Sequence, residues 1–522
     1  MELSPVVEAL IREFEQEKLP PREEARLTVS KTVSALAVLY EKARNAVEFR
    51  AEHLIRRAAI ERILKRRILL NGGSTTIAEN LVVELLWARY IDSSLVSDKT
   101  IATIQEIIER YISLKKTAFG GASKVQSIWW DTVLGVASSE IEETIVSARK
   151  REALNNFLYQ AVRPKIQIPG KSAEFANMQT YIAVERAYAQ SDDALILYHL
   201  ISITQPKWKE LKNPSESDAH SFLGTLSLAQ AGLRDPLSES VTRYVRRHVP
   251  PFLILRDVLL EQADVRGLIE NPTSFEQKLA ETATRRYHEI GAKVRRAVVR
   301  SIIYIFLTKM IFALALEAPV DIFITKRIAY LPLAINTLFP PILMFLVAGF
   351  FSVPGPENTR LLIDRAKKIV YEFNDYIADN DPYVPKTAVR RPILTAVFSL
   401  FYLGTFLLTF GAISYFLTQL HFNIASQAIF VFFVTLVSFF AYRIRQSAKE
   451  YEVESRQGVL EPMVDFFFLP ILRAGHILSR EVAKLNVFIF LFDFVLEAPL
   501  KVIFEVVEEW IRFIRIKKEE II

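Results

Sequence analysis

Four charged side chains lie inside strongly apolar stretches, and they are the residues best placed to do chemistry in this chain. Lys309 and Glu317 lie in one stretch, and Asp493 and Glu497 lie in a second stretch that repeats the tetrapeptide LEAP of the first. An ionisable group in hydrocarbon is costly, and it commonly marks a proton or ion path or a paired structural charge. Spacings of eight and four keep each pair on one face of a helix. We therefore treat these four residues as candidate intramembrane charged positions.

Each LEAP tetrapeptide ends in a proline, which has no backbone N–H to donate. The helix must bend there, and the freed carbonyl needs a polar partner. The favoured interpretation is an amphipathic helix at the headgroup boundary, with its carboxylate facing water. A second interpretation pairs Glu317 with Glu497 in the bundle interior as a proton or cation site. The third is packing between helices without transport.

The sequence of 522 residues shows no recognised catalytic, metal-binding or phosphate-binding motif. The chain has no cysteine, which excludes disulfides, thiolate metal sites and cysteine nucleophiles. None of the seven histidines has a partner at HExxH or HxH spacing, and the diglycine turns lack the spacing of a phosphate-binding loop. We therefore expect no catalytic residues, no metal site and no cofactor.

Three long apolar runs without a charged residue follow residue 330. They cover 331–353, 393–417 and 424–442, and each has about the 20 residues that a helix needs to cross a bilayer. The stretch 301–324 is marginal, because Lys309 opposes insertion by about 3 kcal/mol. We expect it to cross.

The charges that flank these runs predict their orientation. Arg390 and Arg391 precede the second run, and Arg443 and Arg445 follow the third, so these two runs are expected to form a hairpin with both ends in the cytosol. In the alternative topology, 301–324 lies flat and the first run is re-entrant.

That alternative requires the first run to turn back at Pro340 and Pro341. Residues 463–505 are read as a re-entrant or interfacial helical pair. The basic end of the chain favours a cytosolic C-terminus.

The first 300 residues show apolar spacings of three and four, which predicts helices throughout. One apolar face from 23 to 70 indicates a long helix or a helical hairpin. Further helices are expected at 98–116, 124–150 and 174–190, and KNPSESDAH, beginning at Lys212, is expected to be an exposed loop. The acidic, amphipathic start does not resemble a secretory signal, so we expect this part to stay in the cytosol.

Two basic clusters remain. The stretch 55–70 interleaves basic with apolar residues, and it is interpreted as a solvated or membrane-facing helix with no nucleic-acid partner. A second cluster immediately precedes the apolar third and is expected to bind anionic headgroups. Its members are Arg285, Arg286, Lys293, Arg295, Arg296 and Arg300.

Together these patterns predict an all-α, multi-pass helical membrane protein with a large N-terminal cytosolic helical domain and a C-terminal membrane bundle. The expected role is a non-enzymatic, membrane-anchored scaffold or assembly factor, with a protein partner or a second copy of the chain. The alternative is a channel or an ion-coupled or proton-coupled transporter that uses the intramembrane charges. The expected divisions are a cytosolic domain (1–273), a basic stalk helix (274–300), two membrane segments (301–353), a cytosolic loop (354–392), a transmembrane hairpin (393–445) and interfacial helices with a basic tail (446–522).

Overall fold

The structure is a computed structural model, and every regular element among its described residues is helical, apart from one isolated bridge between Ile166 and Tyr383. The all-α prediction is confirmed for this part of the chain. The described residues are 3–16, 51–71, 77–118, 124–317, 330–349, 354–378, 382–385, 392–448, 450–453 and 461–484, with isolated positions 34, 38, 41, 319, 322, 323, 326, 506, 510, 513 and 514.

The described N-terminal part consists mainly of α-helices. They are α1 (Pro5–Gln16), α2 (Glu52–Asn71), α3 (Ile77–Trp87), α4 (Asp98–Ala118), α5 (Lys124–Ile145), α6 (Arg149–Val162), α7 (Ala173–Val184), α8 (Asp193–Thr204), α9 (Glu216–Arg234), α10 (Pro236–Arg246), α11 (Val249–Glu261) and α12 (Val265–Glu270).

Side-chain caps explain where several of these helices begin. The Asp192 carboxylate accepts a hydrogen bond from the Leu195 N–H at the start of α8, and Ser215 and Asp218 form a reciprocal capping box at the start of α9. The predicted loop KNPSESDAH therefore contains a helix start. The predicted element 23–70 is not one continuous helix, because Ala51 is not helical and α2 begins at Glu52. Residues 17–33 lie outside the described residues.

The helix α13 (Pro272–Phe312) has 41 residues and leads from the N-terminal helices into the apolar third of the chain. At 1.5 Å per residue it is about 60 Å long. The predicted stalk therefore continues as one helix into the first apolar stretch. A wider π-helical turn, Ala313–Glu317, follows it directly.

The remaining helices are α14 (Tyr330–Gly349), α15 (Pro356–Tyr371), α16 (Phe373–Ala378), α17 (Pro392–Gln419), α18 (Ile424–Ala448) and α19 (Glu461–Lys484). Among the described residues, three helices are long and apolar enough to cross a membrane. These span Pro272–Ala315, Ala396–Gln419 and Ile424–Ile444.

This set differs from the sequence prediction at one place. The stalk helix qualifies, whereas the described apolar part of α14, Tyr330–Leu346, is shorter than the other three. The α14 helix runs without interruption through Pro340 and Pro341. The alternative in which the chain turns back at these prolines is therefore wrong.

Two apolar cores lie among the N-terminal helices and the segments packed against them. One lies among α2, α3, α4, α5, α8 and α9. The other includes residues from α1, α6, α10, α11 and the beginning of α13, and also residues of α15, α16 and the segment after α18. Leu362, Phe373 and Tyr451 are buried in this second core. Segments that follow the apolar helices thus return to pack against the N-terminal helices.

The interpretation of the basic stretch 55–70 as a solvated or membrane-facing helix is wrong for two of its arginines. Arg56 and Arg57 are buried. Arg56 pairs with Glu142 at 2.7 Å, and Arg57 pairs with Asp192 at 2.5 Å. Because these carboxylates are distant in sequence, the arginines connect α2 to α5 and to the start of α8.

Candidate functional site

A buried ion pair lies among the apolar helices, between the end of α13 and the π-helical turn that follows it. The Lys309 side chain is 0% exposed and the Glu317 side chain is 1% exposed. Lys309 Nζ donates a hydrogen bond to Glu317 Oε1, and it also lies 4.5 Å from the centre of the Phe433 ring of α18. The pair of charges is therefore neutralised inside the bundle, and the ring adds a cation–π contact.

Two further groups complete what we call the membrane charge cluster: Lys309, Glu317, Asn336 and Ser426. Asn336 of α14 donates from Nδ2 to Glu317 Oε2 at 2.9 Å and to the Ser426 carbonyl of α18 at 3.2 Å. Both carboxylate oxygens of Glu317 thus have partners. The network joins α13, α14 and α18, the three helices that also pack around Met344 and Val437.

The π-helical turn explains how the first LEAP segment supports this cluster. Pro319 cannot donate to the preceding turn, and the backbone widens from α-helical to π-helical over Ala313–Glu317. The expectation that the Glu317 carboxylate faces water is wrong, because its partners Lys309 and Asn336 enclose it.

The second LEAP segment, with Asp493 and Glu497, lies outside the described residues. The predicted pairing of Glu317 with Glu497 therefore stays a prediction. The partners that the structure gives to Glu317 are Lys309 and Asn336.

The stalk residues predicted to contact anionic lipid fall into two groups. Arg285 pairs with Glu261 at 2.5 Å, and Arg286 pairs with the buried Asp257 at 2.8 Å, so both have partners within the protein. The other four are exposed, and within the described part of the chain no ion pair involves them. They are Lys293, Arg295, Arg296 and Arg300.

A polar junction connects the stalk to the segments that follow the apolar helices. Asn358 of α15 donates to Tyr287 Oη of α13 at 2.8 Å and to the Tyr451 carbonyl at 2.9 Å, and its Oδ1 accepts from the Val453 N–H at 2.8 Å. Tyr451 Oη in turn donates to Asp257 at 2.7 Å. One asparagine therefore links three separate chain segments.

A second cluster of titratable side chains lies among the N-terminal helices. His199 Nε2 is 2.8 Å from Glu143 Oε1, and Nδ1 is 3.2 Å from Glu185 Oε1. Burial alone would lower the pKa of His199, but the two carboxylates outweigh burial and raise it to about 10. Glu152 lies beside this group, and we call the four residues the His199 cluster.

Several of these groups could not be singled out from the sequence. Asn336 interrupts an apolar run, and a lone polar residue there is a signal, but its partners come from other helices. The members of the His199 cluster come from α5, α6, the turn after α7, and α8, so no local spacing relates them. The tertiary packing of helices brings each set together.

Known proteins provide no further guide to this site. No protein-family model, no curated protein and no solved structure matches the chain.

Proposed function

We propose that the protein is a membrane-anchored scaffold, in which a helical bundle in the bilayer holds a large cytosolic helical domain at the membrane surface. Its partner is another protein or a second copy of the chain. The observation that carries this proposal is the neutralisation of Lys309 and Glu317 by each other and by Asn336. Paired charges of this kind fix how helices pack, and they leave no net charge to attract a transported ion.

The return of the chain to the soluble core supports a multi-pass topology. Leu362 and Phe373, which follow α14, and Tyr451, which follows α18, are buried against the N-terminal helices. A chain that leaves this core and comes back must cross a bilayer an even number of times on each excursion. The stalk end and α14 then form one hairpin, and α17 and α18 form the second.

The lengths and charges fit this arrangement. The 20 residues of α14 span about 30 Å, the thickness of the hydrocarbon core. Arg390, Arg391, Arg443 and Arg445 would all lie on the side of the soluble domain, as the positive-inside rule requires for a cytosolic domain.

The exposed stalk cations supply a lipid contact in this proposal. Lys293, Arg295, Arg296 and Arg300 lie immediately before the membrane stretch, and each contributes about 1 kcal/mol of attraction to an anionic surface. Native mass spectrometry of the protein in mixed-lipid nanodiscs tests this. Replacing the four by glutamine should reduce the retained anionic lipid, while replacing four exposed cations of α9, α10 and their flanks should not. Those control residues are Lys212, Arg234, Arg243 and Arg246.

One buried atom favours transport as a second candidate function. Asn336 Oδ1 has no hydrogen-bond partner among the described residues, although Asn336 is fully buried beside the ion pair. A bound cation or proton carrier at this oxygen would give the membrane charge cluster a role in conduction.

Reconstitution separates the two candidates. The scaffold proposal predicts that purified protein in liposomes carries no proton or alkali-cation flux above that of empty liposomes, and that protein isolated from its native membrane is a defined oligomer or a stoichiometric complex. Flux that disappears in the folded double variant Lys309→Met/Glu317→Gln would overturn the scaffold proposal.

A further inference from the structure

The His199 cluster has the composition of a metal site and lies in the soluble domain, far along the chain from the membrane charge cluster. One ligand-type atom from each of Glu143, Glu152 and His199 lies within 4.8 Å of the others. We propose that these three side chains bind one divalent transition-metal ion of the Zn²⁺, Mn²⁺ or Fe²⁺ class.

The distance between the first two ligands fits a shared ion. A metal 2.0–2.2 Å from nitrogen and oxygen ligands, with angles between a right angle and a tetrahedral one, separates neighbouring ligand atoms by roughly 3 Å. His199 Nε2 and Glu143 Oε1 are 2.8 Å apart. An imidazole with two carboxylates selects a borderline transition metal over Ca²⁺ or Mg²⁺, which prefer oxygen ligands alone.

The opposite side of the imidazole ring gives an independent indication. Glu185 is 1% exposed, and its Oε1 lies 3.2 Å from His199 Nδ1. Asn155 Nδ2 donates to the same oxygen at 3.0 Å, and Ser191 Oγ donates to Oε2 at 2.6 Å. A carboxylate held in place behind the second ring nitrogen is the usual support of a metal-bound histidine.

Two buried polar atoms of this group still lack a hydrogen bond within the described residues. They are His199 Nδ1, which is within ion-pair distance of Glu185 but poorly aligned with it, and Asn155 Oδ1. Both residues are at least nine-tenths buried. A small rotation of the ring, made when Nε2 binds a metal, would align the Nδ1–H with Glu185 and satisfy one of them.

The charges of the group also favour a cation. Arg151 pairs with Glu143 at 2.8 Å, but the Glu152 carboxylate forms no hydrogen bond or ion pair with another described residue. Because Glu152 is exposed to solvent, it gives an ion a route to the buried pair.

The competing interpretation is a purely structural ion pair, in which protonated His199 lies between Glu143 and Glu185. Glu152 distinguishes the two, because it has no role in such a pair and is a ligand in the proposed site. The matched control is Glu174, an exposed glutamate in the first turn of α7.

The test uses the full chain in detergent, with any purification tag removed and with bound metal stripped by a chelator. Co²⁺ is titrated by visible absorption and Zn²⁺ by calorimetry, for the wild type, Glu152→Gln and Glu174→Gln. We expect one ion per chain, with binding at least about tenfold weaker in Glu152→Gln and unchanged in Glu174→Gln.

Circular dichroism confirms that both variants fold, as expected for exposed positions. Failure of the wild type to bind either metal overturns the proposal. Binding that Glu152→Gln leaves unchanged also overturns it.

Discussion

In the proposed arrangement, the soluble domain and the membrane bundle both bury charges, but the buried charges have different kinds of partner. In the soluble domain a buried carboxylate commonly has two cationic partners, as Glu84 has in Arg66 and Arg67. In the bundle, Glu317 has Lys309 as its cationic partner, and the neutral Asn336 occupies its other oxygen. We therefore expect the same type of substitution to change the free energy of unfolding by unequal amounts in the two regions.

The largest effect is expected at the membrane charge cluster. Glu317→Gln leaves Lys309 buried without a counter-charge, which should lower the free energy of unfolding by roughly 3–5 kcal/mol. Lys309→Met leaves Glu317 with only Asn336 and should cost a similar amount. Thermal and denaturant unfolding in detergent measure both.

The double variant Lys309→Met/Glu317→Gln sharpens this prediction. Because no uncompensated charge remains, most of the lost stability should return. Additive losses in the double variant would contradict the account of a mutually neutralised pair.

The second prediction concerns His248, whose pKa is shifted by burial, by a backbone carbonyl and by nearby cations, with no carboxylate among the causes. Burial lowers the pKa of His248 to about 4, and nearby cations act in the same direction. Since the pKa in the unfolded chain is about 6.5, the contribution of neutral His248 to stability is fully present above about pH 6.5 and is lost as the pH falls from there towards 4. The loss should not exceed about 3 kcal/mol.

Unfolding measured from pH 7.5 to 4 checks this, with His248→Asn as the informative variant. The variant should show a flatter pH profile than the wild type, whereas His220→Asn at an exposed position should not. Equal slopes for the wild type and His248→Asn would contradict the assignment.

The third prediction concerns packing in the bundle. A methyl group at Gly475 of α19 would lie 2.1 Å from the Thr435 carbonyl oxygen and 2.7 Å from Phe439 Cβ, both in α18. Gly475→Ala should therefore separate these helices and cost about 1–3 kcal/mol.

The matched control is Gly411→Ala in α17, where a methyl group would meet no atom within 4 Å. Its stability in detergent should equal that of the wild type. Equal losses at the two glycines would show that α19 does not depend on close approach to α18.

The smallest effect is expected in the soluble domain, at a carboxylate with two cations. Arg67→Gln removes two hydrogen bonds to Glu84, of 2.8 and 3.0 Å, but leaves Arg66 in contact with it. The loss should be about 1 kcal/mol. A loss as large as that of Glu317→Gln would remove the contrast between the two regions.

How far the sequence predicts the structure depends on whether the signal is local. The uninterrupted apolar runs that became α17 and α18 were predicted, because length and absence of charge are properties of one segment. The interpretation of Arg56 and Arg57 as solvated was wrong, because their carboxylate partners are 86 and 135 residues away. Arginines interleaved with apolar residues give the same sequence pattern whether the arginines are solvated or buried in ion pairs.

For the same reason, the sequence predicts only part of the membrane charge cluster. Lys309 and Glu317 stand out as charges in apolar sequence, and their spacing of eight keeps them on one face. The contribution of Asn336 requires α14 to pack against both α13 and α18, which no local pattern encodes. The unequal burial of two similar apolar helices makes the same point: 6% of the apolar window in α17 is buried, against 44% of that in α18.

The arrangement of one soluble domain on one side of the bilayer is tested most directly by labelling. The natural chain has no cysteine, so single cysteines can be introduced without a background. His421→Cys lies at the turn between α17 and α18, and Asn374→Cys lies on the exposed side of α16. With a membrane-impermeant maleimide on intact cells, we expect position 421 to react at once and position 374 to react only after permeabilisation. Reaction of both positions from the same side would contradict the account.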